Sequence, residues 1–167
     1  RERDRGGDPP PRRDLVEQFH LSPPIAWEDW VRLAGAALEE AAENEAEKTA
    51  VILAAQNSDA VVNSDMAKLA RLVFEANEFG WAEVAYMGEN GRPALPSMVD
   101  QLVRLGADKV VVMPWVLFAG PAMSQINDVA ARYPATAVTP HLAAQPALID
   151  LLHAQYELAL ADRSLLP

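Results

Sequence analysis

Beyond about residue 48 the chain alternates between two hydrophobic patterns. Thr49 to Ala55 (TAVILAA), Trp81 to Met87 (WAEVAYM), Lys109 to Met113 (KVVVM) and Ala135 to Thr139 (ATAVT) are short, largely continuous apolar runs. Such runs predict strands buried on both faces. The stretches that follow them carry apolar residues at helical spacing. Met66, Leu69, Ala70, Val73 and Ala76 predict a helix from Asn63 or Ser64 that ends before Gly80. Pro96 to Leu105 predicts a second, stopped at Gly106, where a left-handed cap favours glycine. Pro121 opens a third, running to about Arg132 and burying Met123, Ile126 and Val129. Pro146 opens the last, with Leu148, Ile149, Leu152, Tyr156 and Leu160 on one side.

Upstream the pattern differs. Trp27, Trp30, Ala34, Leu38 and Ala41 form one stripe of a helix reaching about Ala46, with Glu28 and Asp29 at its positive end. Before it, residues 1–26 mix Arg, Asp, Gly and Pro around a short apolar stretch, the composition of a tether. The expected division is therefore 1–47, linker and amphipathic helix, and 48–167, one globular domain.

Strand and helix alternating four times imply right-handed crossovers and a parallel sheet covered on both faces. The simplest such α/β fold is a flavodoxin-like three-layer sandwich, four strands in the order 2-1-3-4, with an N-terminal helical extension. Its crevice lies beyond the C-terminal ends of strands 1 and 3. That places QNSD (56–59) opposite WVLFAGPA (115–122), with Pro114 expected to end strand pairing and Gly120 to permit a sharp turn.

Charge and composition restrict the chemistry. The formal net charge of -10 opposes binding to a phosphate backbone, so no nucleic-acid partner is expected. With no cysteine, disulfides and thiolate sites are excluded. No apolar run reaches the roughly 18 residues of a membrane span; no membrane partner and a cytoplasmic location are the expectations. Neither G-x-G-x-x-G nor a P-loop occurs, which argues against dinucleotide and nucleotide-phosphate sites. The glutamates between Glu39 and Glu47 read as a solvated helical face. Of the three histidines, His141 follows Pro140 at the C-terminal end of strand 4 and is the candidate metal ligand or base.

Three segments carry a resemblance. VILAAQNSD (51–59), EVAYMGENGRPALPSMVDQLVRLGADKVVVMPWVLFAGPAM (83–123) and TPHLAAQPALIDLL (139–152) are similar, in order and spacing, to the CbiX-type sirohydrochlorin chelatases. The resemblance implies a chelatase-like domain over 48–167 and insertion of Co²⁺ or Fe²⁺, as substrate metal, into a tetrapyrrole; no resident cofactor is implied. Family members take one histidine from H-G-S after strand 1 and another two positions after the glycine of F-A-G. Here those positions hold Gln56 and Ala122. The implied substrate-binding residues are Gln56, Asn57, Ser58, Glu89, Gly120 and Ala122, with Arg92 and Arg104 as candidate partners for substrate carboxylates. A plainer reading also stands: Gln56 and Asn57 cap the following helix and Ala122 only packs. A domain with the family skeleton but without its histidines is expected to be a non-catalytic lobe, inactive alone. Its partner would be a second chelatase half-domain in the same protein or a second copy; the alternative is a scaffold domain that kept the fold.

Overall fold

The computed structural model describes residues 26–164, and the proposed tether at 1–25 lies outside the described residues. The elements are α1 (Trp27–Ala42), β1 (Thr49–Gln56), α2 (Ala60–Ala76), β2 (Trp81–Met87), α3 (Leu95–Leu105), β3 (Lys109–Pro114), α4 (Pro121–Ala131), β4 (Thr136–Val138) and α5 (Pro146–Ser164). Single 3₁₀ turns cover Ala46–Lys48 and Leu142–Ala144. The strands form one parallel sheet in the order β2-β1-β3-β4, as the alternation predicts.

β1 is central and its side chains alternate between two cores. Val51, Leu53 and Ala55, with Val84, Tyr86, Val111 and Met113, face α1 and α2. Ala50, Ile52 and Ala54, with Ala85, Met87, Val110 and Val112, face α3 and α4. Burial on both sides explains why β1 and β3 are continuous apolar runs rather than alternating ones.

Boundaries moved where a cap or turn outweighed periodicity. α2 begins at Ala60, three residues before Asn63, because Asp59 accepts a 2.9 Å hydrogen bond from the Val62 N–H. α1 stops at Ala42 instead of reaching Ala46, since Glu43 and Asn44 adopt left-handed backbone at φ 53 and 69. β3 ends at Pro114 as expected, paired with Ala54 of β1. The Trp115 N–H donates to Ala54 O at 2.7 Å. The position without a donor therefore faces β4, where the ladder has already closed at Val112 and Val138. Gly120 is extended, at φ 175 and ψ -162, and makes no left-handed turn.

Candidate functional site

Four connections meet at the C-terminal edge of the sheet and carry the candidate site residues apart from Arg104. Gln56 ends β1, paired with Met87 of β2, and its side chain is exposed. The next residues are held by side chains of α2. Asn63 donates to Asn57 Oδ1 at 3.0 Å and accepts from the Ser58 N–H at 3.1 Å, while its own carbonyl accepts from the Tyr86 hydroxyl at 2.7 Å. Asn57 thus braces the loop before α2, whereas the cap itself is Asp59. Asn63, expected as the start of this helix, instead lies within its first turns and reaches back to the loop, a bracing role that its position in the sequence does not signal.

The connection after β3 faces this loop. Trp115 turns inward and meets Trp30 edge to face, with ring centroids 5.4 Å apart. Leu117 and Phe118 stand out, 49% and 69% exposed. A Cβ added to Gly120 would meet nothing within 4 Å, so glycine here leaves open space and relieves no clash. Ala122 follows, half-buried in the first turn of α4.

Glu89 lies in the loop after β2. Arg92 folds back over that loop and donates to the carbonyls of Glu89 and Gly91 at 3.2 and 2.7 Å. Gly91 is required by close approach, for a Cβ there would sit 2.3 Å from Tyr86 O. Arg104 is placed differently from expectation. It is in the last turn of α3, which runs away from the crevice, so it reaches the opposite edge of the sheet. His141 precedes the second 3₁₀ turn, whose Leu142 and Ala143 N–H groups each donate at 2.9 Å to Val116 O and Leu117 O. It therefore stands beside the β3 connection. β2 and β4 are three strand spacings apart, about 14 Å, which puts Glu89 and His141 at opposite ends of the crevice. Among the described residues no group of three His, Cys, Asp or Glu side chains is placed to share a metal ion.

The CbiX family model matches residues 50–159. The chain belongs to the CbiX family. Its CbiX region begins with β1 and ends within α5, leaving α1 outside. A sirohydrochlorin cobaltochelatase from Priestia megaterium is 35% identical over 100 residues, covering 58% of this chain and 32% of that protein. The chain thus spans about a third of the length of the curated relative it matches. Two solved structures share the fold. A cobalamin biosynthesis CbiX protein from Marinobacter aquaeolei VT8 superposes with a TM-score of 0.54 at 23% identity, over 68% of this chain and 98% of that one. The cobalt complex of the sirohydrochlorin chelatase SirB from Bacillus subtilis subspecies spizizenii gives 0.55 at 14% identity, over 89% of this chain and 59% of that one. No helix among the described residues is long and apolar enough to cross a membrane.

Proposed function

We propose that this chain is one lobe of a chelatase that inserts Co²⁺ or Fe²⁺ into sirohydrochlorin, and that it forms a wall of the cleft without carrying the metal-binding histidines. The observation that carries this reading is a CbiX chain whose crevice holds Gln56 and Ala122 where the family resemblance expects imidazoles. Insertion of a divalent ion releases the two pyrrole N–H protons, so a cleft must offer a donor for the ion and an acceptor for those protons. Neutral imidazole serves both purposes. The amide of Gln56 accepts hydrogen bonds but takes up no proton near neutral pH, and the methyl group of Ala122 does neither.

In this reading the proton acceptors come from another CbiX-type half-domain of the same protein or from a second copy of the chain. Gln56, Asn57, Ser58, Glu89, Gly120 and Ala122 line the substrate side of this wall. Among the described residues His141 is the one imidazole at this edge, and a direct metal ligand would come from it, from Glu89 or from the partner lobe. The exposed Leu117 and Phe118 suit the apolar face of a macrocycle. Residues 48–167 would be the chelatase domain, 1–47 its connector, and the compartment the cytoplasm.

The scaffold alternative draws on a separate observation, the lack of a three-residue ligand group among the described residues. One experiment separates the readings: sirohydrochlorin and Co²⁺ are incubated with this chain alone, and with a histidine-bearing CbiX lobe added, while the absorbance spectrum is followed. Insertion that appears or accelerates only when both lobes are present supports the proposal. Robust insertion by the isolated chain overturns the non-catalytic assignment, and no effect on substrate or rate in either mixture favours the scaffold.

A further inference from the structure

α1 and α5 present the same apolar spacing, yet one is buried and the other is not. Shifting by 118 positions aligns Trp30 with Leu148, Val31 with Ile149, Ala34 with Leu152, Leu38 with Tyr156 and Ala42 with Leu160, and it aligns Glu39 with Glu157. In α1 the last three of these apolar positions are 0%, 0% and 1% exposed. Their counterparts Leu152, Tyr156 and Leu160 are 46%, 62% and 46% exposed. α1 lies along β3 beside α2, on the face made by Val51, Leu53, Val111 and Met113. Among the described side chains of α5, Leu148 and Leu151 reach this core.

The helix on the sheet is the one outside the family match. The CbiX region starts at residue 50 and includes most of α5 but none of α1. The match to the Marinobacter CbiX protein takes in 68% of this chain and 98% of that one, so a fold of this kind is built from about two thirds as many residues. α1 is buried on its inner side only. No side chain caps its N-terminus, and a groove of about 820 Å³ runs between it and α2, lined by Trp27, Val31, Gly35, Lys68 and Leu72 among others.

We infer that α1 and α5 are alternative covers for one face of the sheet, and that the apolar side of α5 is a docking surface for that face when α1 leaves it. Two covers competing for one site explain why the family's own terminal helix exposes Ile149, Leu152, Tyr156 and Leu160 on one stripe, with Leu158 beside it, while a helix outside the family match is buried. The larger residues of α5 would seat it farther from the strands than the close approach that Ala34 and Ala42 allow α1. The inference rests on packing and is independent of the tetrapyrrole reading.

The test is hydrogen exchange on the full chain, followed by mass spectrometry, with substitutions that dislodge α1. Leu38→Asp should raise exchange in peptides spanning 30–42 at least tenfold and slow it in peptides spanning 149–160 at least tenfold, with the sheet still protected. Leu38→Ala should move both in the same directions by less. Tyr156→Asp should leave wild-type exchange in β1, β3 and α1 unchanged, but should remove the protection of α5 and of the sheet when combined with Leu38→Asp. Global unfolding of the Leu38→Asp chain, unchanged exchange in α5, or protection of α5 that appears only on self-association by light scattering would each overturn the inference.

Discussion

Gln56 and Ala122 matter most to the proposed reading, because the family resemblance expects at each a group that could bind a metal ion and accept a proton. Gln56 ends β1 with its side chain exposed, and Ala122 stands in the first turn of α4 across the same crevice. Gln56→His with Ala122→His should therefore restore a pair of imidazoles to one edge. Co²⁺ affinity, read from the visible absorption bands of the bound ion, is expected to rise at least tenfold over the wild-type chain. An unchanged titration would show that the crevice does not bring these positions together. Tyr86 supplies a second prediction at this scale. Burial raises its hydroxyl above the ordinary tyrosine pKa. The folded state therefore keeps the phenolic proton to a higher pH than the unfolded chain, and stability falls as pH rises above about 10. Urea unfolding at pH 7 to 11 should show that decline. Tyr86→Phe should lessen it, Tyr133 keeping a share because burial and Asp100 raise its hydroxyl too, at a cost of about 1 kcal/mol at neutral pH for the lost hydrogen bond to Asn63 O.

Among the elements, α2 and its preceding loop show how a binding edge is kept in shape without catalytic groups. Asp59 caps the helix, and Asn63 ties Asn57 and Ser58 to it, so the loop is organised by side chains of its own helix. Asp59→Ala should lower stability by about 1 kcal/mol, measured by thermal unfolding, and should loosen residues 57–62 before the rest of the chain. A melting curve indistinguishable from wild type would assign the helix start to packing alone. The strands and helices of the alternating region were legible in the residues, because period and length are local properties. Their ends were less so. Val61 and Val62 gave no helical signal of their own, being 51% and 37% exposed, and the start of α2 depended on one carboxylate bond to the Val62 N–H. α1 was cut short at Glu43 and Asn44, neither a glycine, where the chain must turn into the 3₁₀ segment before β1.

For the molecule as a whole, charge opposes the proposed substrate. With a formal net charge of -10, the chain repels a polycarboxylate macrocycle, and Arg92 is already engaged with the carbonyls of its own loop. Screening lengths shorten from about 30 Å at 0.01 M salt to about 10 Å at 0.1 M. Sirohydrochlorin titrations at these two ionic strengths should therefore give the tighter binding at the higher salt. Weaker binding at higher salt would mean that a local basic site outweighs the overall charge.

The sequence by itself determined the α/β alternation, the parallel sheet order, the family, and the loss of both expected histidines, since each depends on residue type and spacing along the chain. Only the tertiary structure decided how the parts are used. It bent Arg92 onto its own loop, sent Arg104 to the far edge, and set Glu89 and His141 at opposite ends of the crevice. It also placed α1 on the sheet where the matching spacing of α5 could have lain. Two helices with the same apolar spacing look equivalent in one dimension. Which of them is buried depends on a single sheet face, and only one helix can occupy it.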